Sequence, residues 1–137
     1  MKFGTKSIIV KNGKILLIKR SSYNNYKQGE WDLPGGRLEK DEKVFAGHKR
    51  EVFEETKLNI GIIEPIRSWI VDRPDGKHVG ITLLSKYLEG DVLLSSEHTE
   101  HKWISPDEIN QTNAADWIKG DIALALKINP EFFAKDL

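Results

Sequence analysis

Between positions 41 and 58 the chain writes a helix whose far end is badly charged. Residues 42–56 carry an amphipathic helical pattern, with Asp41 as the predicted N-cap and Glu42 in the first turn. Glu51, Glu54 and Glu55 then stand at i, i+3 and i+4, which puts them within one arc of about 100°. Three carboxylates on one face repel each other. Near a helix C-terminus the dipole disfavours each of them by roughly 0.3–1 kcal/mol. The nearest basic partner, Arg50 to Glu54, is an i to i+4 pair in the weaker order. A helix shaped by stability alone would not be written this way. A helix built to hold a hard divalent cation would be, because such an ion takes oxygen ligands and offsets the repulsion.

A Glu-x-x-Glu-Glu run alone also fits a solvated charged face, so the argument turns on spacing. Gly36, Glu42, Arg50, Glu51, Glu54 and Glu55 fit Gly-x5-Glu-x7-Arg-Glu-U-x-Glu-Glu, with Val52 as the bulky apolar U. At roughly one in fifteen per residue type, chance gives such a set about 10⁻⁷ per register. The stretch from Gly36 to Leu58 resembles the MutT-like Nudix box, and the chain is identified as a member of the Nudix hydrolase family. The box spans 23 of 137 residues. It departs from the family pattern once. Lys57 stands where the family has Gly, just past the helix, where a left-handed residue is useful. Lys57 there costs about 1 kcal/mol, unless the turn moves to Asn59.

The resemblance implies hydrolysis of a diphosphate linkage in a nucleoside diphosphate joined to another moiety: an NTP or dNTP, a nucleotide sugar, or an ADP-ribose type. It implies Mg²⁺ as cofactor, with Mn²⁺ as the alternative. Glu54 and Glu55 are then the core metal ligands, and Glu51 a ligand or the group that orients or deprotonates water. The backbone carbonyl of Gly35 is a further ligand, in a Pro34-Gly35-Gly36 turn whose glycines let the backbone approach an ion. Arg50 pins the carboxylates, and Glu42 pairs with the preceding loop. Many relatives supply one more glutamate, as ligand or catalytic base, from the loop before a short strand with an aromatic residue resembling Trp103. Glu97 is chosen here over Glu100, because Glu100 lies close to the strand while Glu97 lies further out. Arg20, ending the second strand, matches a position that touches the nucleotide in relatives; otherwise it is a solvated strand end. Trp31 is read as packing, with base stacking as its alternative. Tyr23 and Tyr26 are candidate substrate contacts in a loop. Pro74, at a distance that marks relatives cleaving ADP-ribose, is also an ordinary Pro-Asp-Gly turn. His98 and His101 are read as strand and loop residues, not ligands.

Length, composition and order agree with a single Nudix domain over 1–137. Apolar residues make up 39% and charged residues 31%, the balance of a globular chain with a core of its own. The 21 basic and 21 acidic residues cancel, so no basic excess exists to neutralise a nucleic-acid polymer. A small nucleotide partner is compatible with that balance. Cysteine is absent, which excludes disulfides, zinc-thiolate sites and a thiol nucleophile. It thereby also excludes the allylic-diphosphate isomerases of this scaffold, which use one. No apolar run is long enough to span a membrane and no signal h-region is evident, so a cytoplasmic monomer or homodimer is expected. A non-catalytic Nudix domain acting as a nucleotide sensor is the competing reading. The retained Glu51, Glu54 and Glu55 argue against it.

Along the chain, strands are expected at 7–10 and 14–18 around Asn12-Gly13, the strongest short hairpin signal. Further strands are expected at 31–33, 60–63, 66–72, 79–88, 91–94 and 103–104. Ser105-Pro106-Asp107-Glu108 reads as a capping box. A last helix over 114–127 has Ala114, Trp117, Ile118, Ile122 and Ala125 as its apolar stripe. Phe45, Val52 and Phe53 are read as core, and Ala46 and Gly47 as small residues where the helix meets the sheet. Strands and helices in this order give an α/β fold: a three-layer α/β/α sandwich with a mixed sheet.

Overall fold

The computed structural model describes residues 1–21 and 28–134. Strands β1 (Lys2–Lys11) and β2 (Lys14–Arg20) form the expected hairpin. Asn12 and Gly13 both have positive φ, at 50° and 75°, as a two-residue turn matched to strand twist requires. The two strands pair at Val10↔Ile15 and Lys11↔Lys14. Beyond those pairs, β2 turns to β7 (His98–Ile104) and β3 (Trp31–Asp32), while β1 takes β4 (Gly35–Arg37) and β6 (Gly76–Glu89) as neighbours. Residues 31–37 fill the mouth of this divergence, where the Ser7 N–H donates to the Pro34 carbonyl at 2.8 Å. The β1–β6 pair is parallel and the other ladders are antiparallel, so the sheet is mixed.

Alternation along the hairpin sends apolar side chains to both faces. Ile9, Leu16 and Ile18 join Val52 of α1 (Val44–Thr56), Leu58 and Ile60 on one side. Ile8, Val10, Ile15 and Leu17 meet Ile118, Ile122 and Ala125 of α2 (Asp116–Ile128) on the other. A sheet apolar on both faces needs a helix against each, and the three-layer α/β/α sandwich follows.

Several boundaries differ from the sequence expectation, each for a local reason. The first helix begins at Val44 with Lys43 as N-cap, because Asp41 is left-handed at φ 64° in the turn before it. The strand expected in two pieces around Pro65 is one strand, β5 (Asn59–Arg73), with register shifts at Ile62/Glu64 and Pro65/Arg67. Bulges let a strand carry a residue that has no N–H to donate. Residues 91–94 form no strand. Instead the Leu93 N–H bonds the Thr56 carbonyl at 3.0 Å and the Ser95 N–H bonds the Glu55 carbonyl at 3.2 Å, satisfying acceptors that a helix end leaves open. The strand expected at 103–104 starts at His98.

Corrections also fall on side chains. Phe45 and Phe53 are exposed, and Ala46 is exposed too. The buried face of α1 runs His48, Val52, Glu55 and Thr56, a stripe of i, i+4, i+7 and i+8 that polar residues conceal. Gly47 does make close room, but for the preceding loop: a Cβ there would stand 2.4 Å from Leu38 Cδ2 and 2.6 Å from Glu42 Oε1. Trp117 is not core; it is half-exposed and tilted against Trp69 with ring centroids 6.3 Å apart. Buried Asp121 anchors α2 by accepting from Thr82 at 2.7 Å and from the Arg67 guanidinium. Among the described residues no helix is long and apolar enough to cross a membrane.

Candidate active site

The far end of α1 is held by one arginine. Arg50 donates through Nε to Glu42 at 2.6 Å and through Nη2 to Glu42 at 2.9 Å. Its Nη1 reaches Glu51 and Glu54, each at 3.1 Å. The same Glu42 carboxylate accepts the Glu39 N–H at 2.9 Å. The Arg50 hydrogen bond, with that N–H, holds Glu42 down at about 2. Such a fork binds several carboxylates at fixed angles, as a lysine cannot. Lys57 ends the helix in the left-handed region, φ 64° and ψ 15°, and its N–H bonds the Phe53 carbonyl at 2.8 Å. The missing box glycine therefore changes the residue and leaves the geometry in place.

The three box glutamates face different surroundings. Glu54 is the exposed one, lying on Arg50 with 56% of its side chain accessible. Glu51 is mostly covered, and burial pushes its carboxyl up, against Arg50 and with the neighbouring Glu54 and Glu97 charges. Glu55 is buried and points inward, accepting the Gly35 N–H at 2.6 Å. Burial pushes Glu55 up to about 8, although Lys6 and the Gly35 N–H favour its ionised form. A carboxyl raised this far by desolvation stands ready for a cation to lower it again.

The segment that closes the end of α1 also carries the loop carboxylate. Ser95 is tied to Glu55, and the Glu97 carbonyl accepts the Ser21 N–H at 2.9 Å. Ligand atoms of Glu55, Glu97 and His98 lie within 4.8 Å of one another. Glu100 is elsewhere: it pairs with Lys19 at 3.2 Å and is 59% exposed. His98 is buried, and burial pulls its imidazole down to about 4. The donor set of buried Glu55, mostly covered Glu51, exposed Glu97 and a neutral imidazole fits a divalent cation. His98, read from the sequence as a strand residue, is the first residue of β7.

Behind these groups sits a buried charge cluster that the sequence did not disclose. Asp32 accepts from Lys6 Nζ at 2.8 Å and pairs with Arg20 Nη2 at 2.5 Å. Burial opposes its ionisation, but Lys6 and Arg20 hold it below the usual carboxylate range. Arg20 is thus no solvated strand end, being only 14% exposed. Lys6 escaped notice because β1 begins earlier than its apolar run.

Two concavities meet at this cluster and share Lys6, Arg20, Asp32, Trp69 and Arg73. One holds Gly35, Gly36, Glu55, Glu97 and His98. The other is aromatic, walled by Trp31, Trp69 and Trp117 with Ile118. Trp69 lies flat on the sheet: a Cβ on Gly80 would be 2.2 Å from its ring, and one on Gly4 would be 3.6 Å from it. Trp31 packs on the larger core and also lines this pocket. Pro74 sits in the tight turn between β5 and β6, where Asp75 binds Lys2 at 2.6 Å. Tyr23 and Tyr26 lie outside the described residues.

The NUDIX domain model matches residues 3–124. The chain belongs to the Nudix family. This Nudix chain is 32% identical over 107 residues to a MutT-like protein of Streptomyces ambofaciens, covering 78% of itself and 65% of that relative. It is 25% identical over 114 residues to the nucleoside triphosphatase NudI of Salmonella agona, covering 74% of itself and 80% of that protein. In structure it resembles the MutT protein from Methanosarcina mazei Go1 at TM-score 0.84 and 27% identity, with 95% and 96% of the two chains covered. The expected fold is that of its solved neighbours.

Proposed function

We propose that this Nudix chain is a divalent-cation-dependent pyrophosphohydrolase that cleaves a diphosphate linkage in a nucleoside triphosphate or a related nucleoside diphosphate derivative. The observation that carries the reading is the meeting of the Glu55 and Glu97 carboxylates with a tryptophan-walled pocket across the shared cluster of Lys6, Arg20 and Asp32. Glu51, Glu54, Glu55, Glu97 and the Gly35 carbonyl are the groups that would hold the cation, Mg²⁺ or Mn²⁺. When bound, it supplies neutralisation of phosphate charge and acidification of water.

The chain's own residues do the rest. Aromatic faces at Trp69 and Trp31 hold a base by stacking, a contact every base offers. Arg20 and Lys6 line the passage from that pocket to the carboxylates, where they attract the phosphates. Glu97 accepts the proton of the attacking water as its oxygen bonds to phosphorus, and the phosphoanhydride P–O bond breaks to release the phosphorylated leaving group. Arg50 fixes Glu51 and Glu54, so that positioning, the main demand of phosphoryl transfer, precedes substrate arrival. The name of the Salmonella relative, a nucleoside triphosphatase, supports triphosphates over the other classes.

A panel of nucleoside triphosphates, nucleotide sugars, ADP-ribose and dinucleoside polyphosphates, assayed with Mg²⁺ for released phosphate species, tests this. Turnover of triphosphates to monophosphate and pyrophosphate is the expected result. Tight nucleotide binding without turnover of any member would instead mark a sensor domain.

A further inference from the structure

We propose that His98 is a nitrogen ligand of the cation site, joining Glu55 and Glu97, and that this mixed site prefers a first-row transition-metal ion to Mg²⁺. The inference rests on the reading of Glu55 and Glu97 as ligands and goes beyond the carboxylates of the box. Two independent observations carry it. A ring nitrogen of His98 lies within 4.8 Å of carboxylate oxygens of both glutamates, close enough for the three to share one ion at ligand bonds of about 2.0–2.2 Å. His98 is also only 6% exposed, and its Nδ1 is buried with no hydrogen-bond partner.

A buried polar atom without a partner costs about 1–3 kcal/mol, and native chains seldom keep one without a use. The surroundings of His98 favour an ion over a hydrogen bond from a side chain. Lys6 and Arg20 face the same concavity but are already engaged by Asp32. The backbone around His98 is fixed: its own N–H bonds the Ser95 carbonyl at 3.2 Å, and the preceding carbonyl is held by Ser21. The imidazole therefore stands on a rigid strand start, as a ligand should.

The chemistry of the set then decides which ion it takes. Mg²⁺ demands oxygen ligands in near-ideal octahedral geometry and keeps its waters. Imidazole suits the later first-row ions such as Co²⁺ and Zn²⁺, since affinity for such donors rises from Mn²⁺ toward Cu²⁺. One imidazole among carboxylates tilts the site toward those ions without excluding Mg²⁺ from the oxygen-only positions at Glu51 and Glu54.

The test is calorimetric titration of the metal-free full chain with Co²⁺, Mn²⁺ and Mg²⁺, without substrate, for the parent, His98→Gln, Glu55→Gln and the surface control Glu100→Gln. Loss of an outer partner of a metal site already costs about 10–100-fold in affinity, and removal of a direct ligand costs no less. His98→Gln should therefore weaken Co²⁺ by at least that factor and leave Mg²⁺ nearly unchanged, while Glu100→Gln changes neither. Unchanged Co²⁺ affinity in His98→Gln, or an equal loss for Co²⁺ and Mg²⁺, overturns the proposal. A second measurement uses the parent chain alone, with ¹⁵N-labelled histidine titrated with diamagnetic Zn²⁺. The His98 ring resonances should move on saturation, and if they stay put the nitrogen is not a ligand. Should Mg²⁺ fail to bind the parent while Co²⁺ binds through His98, the ligand assignment stands and the Mg²⁺ reading of the reaction falls.

Discussion

The carboxylate of Glu51 occupies the space that a side chain on Gly36 would need. A Cβ at Gly36 would stand 2.3 Å from Glu51 Oε2 and 2.7 Å from its Cδ. The box glycine is therefore a consequence of the box glutamate fifteen positions later. Gly35 is constrained differently. Its φ is +145°, and a Cβ there would be 2.1 Å from the Thr5 carbonyl oxygen, which is rigid backbone.

These two glycines should separate in experiment. Gly36→Ala displaces only the end of a flexible side chain, so folding survives while Glu51 is moved. Misplacement of about 1 Å costs roughly 10²-fold in turnover. Gly35→Ala strains the strand pair itself and should cost at least about 3 kcal/mol of stability. Thermal melts and kcat on both variants check this; a Gly36→Ala protein with parental kcat would remove Glu51 from the machinery.

Chelation with EDTA should abolish turnover, and Glu54→Gln and Glu55→Gln should each collapse it while leaving the fold intact. Glu55→Gln carries a further signature in the metal-free protein. The folded carboxyl titrates at about 8 against an ordinary 4.5. The folded chain thus holds a proton that the unfolded chain gives up, and stability is lost as pH rises from 4.5 through about 8. Glu55→Gln should melt higher than the parent at pH 8 and about level with it at pH 4. A variant that melts lower at pH 8 would show that the buried carboxylate is stabilising without a cation.

Arg50→Ala should act on kcat more than on KM, because an arginine bonded to Glu42, Glu51 and Glu54 sets geometry that matters in the transition state. Arg50→Lys should not rescue it, since a point charge cannot serve three carboxylates at fixed angles. A change confined to KM would move Arg50 to the substrate side.

Much of this was legible in the sequence because the box fixes spacing within one helix, where 3.6-residue periodicity converts directly to a face. The hairpin was legible from Asn12-Gly13, and the α2 layer from Ile118, Ile122 and Ala125. What stayed hidden was tertiary. Lys6 and Asp32 meet only because β1 and β2 diverge around residues 31–37. The buried face of α1 was misread because His48 and Glu55 lie on it where apolar residues were sought.

His48 itself gives a pH prediction away from the site. Its Nδ1 lies 2.6 Å from Thr5 Oγ1 in full burial, and desolvation takes its imidazole down to about 4 from 6.5. Above pH 6.5 both folded and unfolded chains hold it neutral. As pH falls from 6.5 through about 4, the unfolded chain takes up a proton that the folded one refuses, and stability is lost. The full loss is about 3 kcal/mol by the usual conversion. His48→Asn keeps an acceptor for Thr5 and should flatten the fall of melting temperature between pH 6.5 and 4 relative to the parent. Contributions from Glu55 and His98 are common to both proteins and cancel in that difference. Parallel curves would mean that His48 charges freely in the fold.

The last prediction decides between the two acids of the segment leading into β7. Glu100 stands opposite Lys19 on the strand ladder and is paired with it at 3.2 Å, with 59% of its side chain accessible, so its carboxylate is committed to an exposed ion pair. Glu97 sits one step before the strand, on a segment hydrogen-bonded to Ser21 and to the end of α1. Its carboxylate comes within 4.8 Å of Glu55, and its charge helps raise Glu51. A base must reach the water near the phosphate before its pKa matters, and of the two acids Glu97 is the one clustered with Glu55. Glu97→Gln should lower kcat by roughly 10²–10⁴, the usual worth of general base catalysis, with KM changed far less. Glu100→Gln should lose only an exposed ion pair, worth at most about 1 kcal/mol of stability, and keep parental kcat. If the large loss appears in Glu100→Gln instead, the assignments exchange. If neither variant loses activity, Glu51 alone carries the base role.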